Sequence, residues 1–144
     1  MRLSAADPVY SADEEDYVGL ILFPGDGDTT SPDVAWSYTG FNAFRCRLAQ
    51  AEGFVLDEMQ GFCGELPWSN VSTVLEPFLD RPDDGGGELS TVECNAILPR
   101  LEAITRGWQE QAADPLLQRH VKDARQLVLV LRLCIEEDVE LLFL

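Results

Sequence analysis

Hydrophobic and polar positions alternate along this chain with two periods, and their order predicts a mixed α and β fold. Residues 18–23, Val-Gly-Leu-Ile-Leu-Phe, form a short continuous apolar run, the pattern of a strand covered on both faces. The run stops at Pro24-Gly25-Asp26-Gly27-Asp28, where proline and glycine force a turn. Residues 34–38, Val-Ala-Trp-Ser-Tyr, alternate as a second strand, and the two pair as an antiparallel hairpin over a long loop. Phe41, Phe44, Leu48 and Ala51 then recur at spacings of three and four. This predicts a helix over 41–52 with one apolar stripe, closed by Gly53 just past its end.

The middle of the chain has a weaker pattern. Gly61, Gly64 and Pro67 interrupt Met59, Phe62 and Trp68, which reads as loop with a short helix over 56–60. Residues 72–75, Ser-Thr-Val-Leu, are β-branched and apolar enough for a strand, and residues 80–87 form a surface loop around Asp83-Asp84-Gly85-Gly86-Gly87.

The last third is the most regular. Ser90-Thr91-Val92-Glu93 is a capping box, and from it a helix runs through Ile97, Leu98, Leu101 and Ile104 to about Gln111. Pro99 lies inside that helix and predicts a kink. Asp114-Pro115 starts another helix, with Asp as cap and Pro in the first turn. Along it Leu117, Val121, Ala124, Val128, Leu131 and Ile135 recur at helical spacing up to Glu137. Residues 139–144 are a closing strand. The expected fold class is therefore α+β: a single domain over 17–144, with a small, mostly antiparallel sheet packed against amphipathic helices. The first and last strands share that sheet, and the last two helices cover it. Residues 1–16, with the run Asp13-Glu14-Glu15-Asp16 and little apolar bulk, read as a flexible acidic N-terminal arm.

Composition changes this picture mainly through charge. The chain has 144 residues, which fits one domain with a real core, and 46% of them are hydrophobic, which is globular. Against 10 Lys+Arg stand 26 Asp+Glu, a net charge of −16. Such a surface repels nucleic acid and anionic lipid and speeds encounter with a basic partner. No run is long enough for a membrane helix and the start lacks the apolar stretch of a secretory signal, so a cytoplasmic location is expected. In that compartment Cys46, Cys63, Cys94 and Cys134, spread singly, read as buried small hydrophobes.

Candidate chemistry is sparse. Asp26, Asp28 and Asp33 offer oxygen ligands, but without the bidentate glutamate of an EF-hand loop they read as a solvated turn, as do Asp83 and Asp84. His120, the one histidine, lies on a partly apolar helix face with no nucleophile at a dyad spacing. No catalytic centre, metal site or cofactor is expected. Of the aromatic residues, Trp36 is a core candidate, while Trp68 beside Pro67 and Ser69 is the best exposed anchor. The expected partner-binding set is Asp26, Asp28, Asp33, Trp68, Asp83 and Asp84, with the aspartates steering a basic protein and Trp68 anchoring it.

A family resemblance adds a more concrete expectation. The opening run 18–23, the turn with Asp26 and Asp28, residues 38–45 (Tyr-Thr-Gly-Phe-Asn-Ala-Phe-Arg), the acidic glycine loop before Glu88-Leu89-Ser90 and the closing apolar run fall in a familiar order. Over about residues 18–144 the chain resembles the small acidic immunity proteins of bacterial polymorphic toxin systems, in particular the Imm70-like group. The resemblance implies a single-domain α+β inhibitor that binds and neutralises a cognate basic toxin inside the producing cell. Two other classes stay open: a small-molecule binding or tailoring protein with an aromatic pocket lined by Trp36, Tyr38 and Trp108, and a regulatory or scaffold protein.

Overall fold

The computed structural model describes residues 19–81, 87–111 and 114–144. The acidic arm over 1–16, and Asp83 and Asp84, lie outside the described residues. In chain order the elements are β1 (Gly19–Pro24), β2 (Val34–Ser37), α1 (Tyr38–Ala51), α2 (Glu76–Leu79), β3 (Glu88–Leu89), α3 (Thr91–Gln111), α4 (Pro115–Glu137) and β4 (Leu141–Phe143). Single 3-10 turns stand at Leu56–Glu58 and Trp68–Asn70. The protein is a single α+β domain as the pattern predicts, with an antiparallel sheet ordered β2-β1-β4-β3.

The first and last strands lie side by side, with Leu22 opposite Phe143. Their inward side chains meet those of the neighbouring strands in register: Leu20 opposite Trp36, Leu22 opposite Val34, Leu89 opposite Leu141. All of these are buried in one core with Phe41, Phe44 and Leu48 of α1 and Ala124, Leu127 and Leu131 of α4. α1 and α4 cover the sheet directly, and α3 packs chiefly along α4. The expected cover by the last two helices is thus corrected to the first and last long ones. α4 is buried around enough of its circumference, from Leu117 to Cys134, to serve both the sheet and α3.

The caps explain where the long helices start. Ser90 Oγ accepts from Glu93 N at 3.1 Å and Glu93 Oε1 accepts from Ser90 N at 2.9 Å, the predicted reciprocal box. Asp114 Oδ1 accepts from Leu117 N at 2.8 Å. α1 begins earlier than its apolar stripe suggests, because Ser37 Oγ caps it by accepting from Gly40 N at 3.0 Å. Tyr38 therefore opens a helix and does not end a strand. α3 continues through Pro99, which has no N–H for the ladder.

Four further expectations are corrected. Residues 72–75 form no strand: Thr73 Oγ1 accepts from Leu75 N at 3.0 Å and donates to Glu52 Oε1 at 2.5 Å, and Pro77 sits in the first turn of α2. The hydroxyl turns the backbone locally where a ladder would need it extended. The helix expected over 56–60 is one 3-10 turn, because Met59 leaves it to bridge Leu66. Cys63 is exposed on a turn at φ 74°, although Cys94 and Cys134 are buried as expected. β1 is covered on one face only: Leu20 and Leu22 are buried, whereas Ile21 is 43% exposed.

Arg45 is the unforeseen core residue. It is fully buried on α1, its Nη1 donates to the carbonyls of Leu79 and Arg81 at 3.1 and 2.7 Å, and its guanidinium lies 4.4 Å over the Phe41 ring. It ties α1 to the segment that follows α2. Its charge-assisted bonds satisfy carbonyls that burial would otherwise leave costly.

Candidate protein-binding face

Among the described residues, those of the sheet that do not enter the core form a second surface, partly open. Because side chains alternate along a strand, burying Leu20, Leu22, Val34, Trp36 and Leu141 turns Ile21, Phe23, Ala35 and Leu142 the other way. Ile21 pairs with Ala35 on one side, and on the other it exchanges backbone bonds with Leu144 at 3.0 and 2.9 Å. Phe23 pairs with Leu142, which pairs in turn with Glu88. Two rows result, Ala35–Ile21–Leu144 and Phe23–Leu142–Glu88. Leu144 is 76% exposed and Ala35 is exposed, while Phe23 and Leu142 are half-buried. Among the described residues no helix packs on this side.

Carboxylates border it. The turn after β1 holds Asp26 and Asp28, and exposed Asp33 immediately precedes β2. Exposed Glu140 lies against the same turn, its carbonyl accepting from Gly25 N at 2.8 Å. Asp26 and Asp28 also build the turn. Asp26 Oδ1 accepts from Asp28 N at 2.9 Å and its Oδ2 accepts from Ser31 Oγ at 2.6 Å. Asp28 Oδ1 accepts from both the N and the Oγ1 of Thr30, at 2.9 and 2.6 Å. The Ser31 and Thr30 hydroxyls hold both carboxyls below the usual carboxylate range, so both stay charged. Gly27, at φ +74°, supplies the left-handed residue between them. Among the described residues no group of three or more His, Cys, Asp or Glu is placed to share a metal ion.

Trp68 stands elsewhere. It is half-buried, its ring is edge-on to Phe54 and Phe62 at 5.9 and 6.0 Å, and its Nε1 donates to Gln60 O at 3.0 Å. It organises a lobe over 54–68 that carries exposed Asp57, Glu58 and Glu65. Among the described residues no hydrogen bond or ring contact joins Trp68 to the Asp26–Asp33 turn. Asp26 and Asp28 are thus held within the turn after β1, and Trp68 within its own aromatic cluster.

Of the three residues of the expected aromatic pocket, Trp36 and Trp108 line different grooves among the described residues. Trp36 and Trp108 each approach Phe44, at 5.1 and 6.1 Å, and are buried. Trp36 lines a groove with His120, whereas Trp108 lines a different one with Arg47 and Arg100. The sequence pattern did not single out Ile21, Leu142, Leu144, Glu88 and Glu140 as members of this surface. Alternation was the signal available, but an all-apolar strand does not reveal which of its faces is covered. No helix of the described residues is long and apolar enough to cross a membrane. No protein-family model matches the chain, and no curated protein or solved structure is significantly similar to it.

Proposed function

We propose that this chain is a non-catalytic binding protein that captures a basic protein on the partly open face of its sheet. In the most concrete form of this reading it is a cytoplasmic immunity protein and the partner is a toxin domain that it neutralises. One observation carries the proposal: among the described residues Ile21 and Leu144 are exposed and Phe23 and Leu142 half-exposed on one sheet face, whose borders carry the exposed carboxylates Asp28, Asp33, Glu88 and Glu140. An apolar centre with a charged rim is the common anatomy of a protein interface. The net charge of −16 selects a basic partner and sets the encounter rate, and the apolar rows set how long the complex lasts. The toxin assignment rests on the sequence resemblance to small acidic immunity proteins.

The experiment is capture of partners from the producing cell on immobilised wild-type chain, followed by kinetics with the captured protein. The reading requires a basic protein bound in fixed stoichiometry, with an association rate that falls as salt is raised. Ile21→Asp combined with Leu144→Asp must speed its dissociation. A partner that is acidic, or one indifferent to both salt and the double substitution, contradicts it.

A further inference from the structure

We propose that the groove between β2, the first turn of α1 and the first half of α4 binds a small organic anion: a flat apolar body carrying one carboxylate or phosphate group. The groove encloses about 540 Å³, within the range that holds a small organic molecule. Its shape comes from small residues facing large ones. Ala35, Gly40 and Ala43 leave room beside the Trp36 indole and Leu116, so the space suits a planar body.

The charge of the groove runs against that of the chain. Arg119 and Lys122, both exposed, stand on its α4 wall, while the protein as a whole carries −16. The first turn of α1 lines the opposite wall through Thr39 and Gly40 and holds no acidic residue, so no carboxylate within the turn offsets its partial positive charge. Asp123 is the one carboxylate among the lining residues, and its Oδ2 is engaged by Trp36 Nε1 at 2.9 Å.

His120 supplies a reporter in the wall of the groove. It lines the groove, is only 3% exposed, and its Nδ1 has no hydrogen-bond partner. A buried polar atom left in that state costs stability, and a charge seated in the groove would act on the ring through space without having to touch that atom. Burial and the nearby Arg47 of α1 hold the imidazole neutral, against the opposing pull of Asp123 and Asp114, with Arg119 adding to the first effect. A neutral ring offers one donor and one acceptor. An anion seated beside it favours the imidazolium, so binding must raise the His120 titration midpoint.

The test is an NMR titration of the full chain that follows the His120 ring, with phenyl phosphate, benzoate and the benzamidinium cation as probes. The proposal expects a saturable shift of the ring with at least one anion and a higher His120 midpoint in its presence. Combined Arg119→Ala and Lys122→Ala, both at exposed positions, must weaken that anion by about tenfold or more. A response to phenyl phosphate alone or to benzoate alone supports the site and identifies its head group. The proposal fails if neither anion moves the ring, if benzamidinium binds as well, or if the double variant binds as the wild type does.

Discussion

The indole Nε1 of Trp36 donates to Asp123 Oδ2 at 2.9 Å, joining the second strand to the last helix across 87 residues of sequence. The bond fixes an edge strand against the helix that covers the sheet, and it does so with a carboxyl whose own ionisation burial opposes. Asp123→Asn keeps the acceptor and removes the unfavourable charge. Equilibrium unfolding at neutral pH should find it as stable as the wild type or slightly more so. Asp123→Ala leaves the buried indole N–H without a partner and should cost about 1–3 kcal/mol.

Helix starts should respond as local units. Ser90→Ala and Asp114→Ala each remove a side-chain acceptor for a first-turn amide, at 3.1 and 2.8 Å respectively. Each should lower unfolding free energy by about 1 kcal/mol. The two should add, since the caps belong to different helices.

Acid should weaken the fold through His120 before it titrates the carboxylates. Burial depresses the His120 pKa from its ordinary 6.5, so the unfolded chain takes up a proton where the folded chain does not. Stability from this source is complete above about pH 6.5 and declines below it, levelling once the folded imidazole also protonates. The hydroxyl-held carboxyls of Asp26 and Asp28 act in the same direction at lower pH, below the ordinary carboxylate value of 3.8. Denaturant melts between pH 7.5 and 5 should slope downward for the wild type and much less for His120→Phe.

How much of this was legible in the sequence depends on which physical signal each part uses. The first strand and the last third of the chain were readable because the signals are local: the Ser90–Glu93 box, the Asp114-Pro115 start, and apolar runs too short for anything but strands. The β1–β4 pairing followed because both runs need burial and share one core. The middle was not readable. A parallel bridge between Met59 and Leu66, and the Arg45 guanidinium reaching the carbonyls of Leu79 and Arg81, are contacts that no periodicity encodes. For the candidate site, the acidic turn was visible as composition, but the apolar rows beside it were not. Val-Gly-Leu-Ile-Leu-Phe looks the same whether Ile21 faces a helix or water.

Association should depend on the rim more than dissociation does. Replacing Asp28, Asp33, Glu88 and Glu140 with the corresponding amides should slow capture of the basic partner at low salt. It should also flatten the salt dependence and leave the dissociation rate nearly unchanged. Stopped-flow association at two ionic strengths measures this directly.

The most direct measurement of the central claim is growth rescue on co-expression with the captured basic partner, comparing Ile21→Asp/Leu144→Asp with Trp68→Ala. Both substituted sheet positions are exposed, so neither change buries a charge, and an unfolding curve for the double variant checks that it is folded. The account predicts that the partner arrests growth, that wild type and Trp68→Ala relieve the arrest, and that the sheet-face variant does not. Full rescue by the sheet-face variant with loss of rescue in Trp68→Ala would move the interface to the lobe over 54–68 and contradict it.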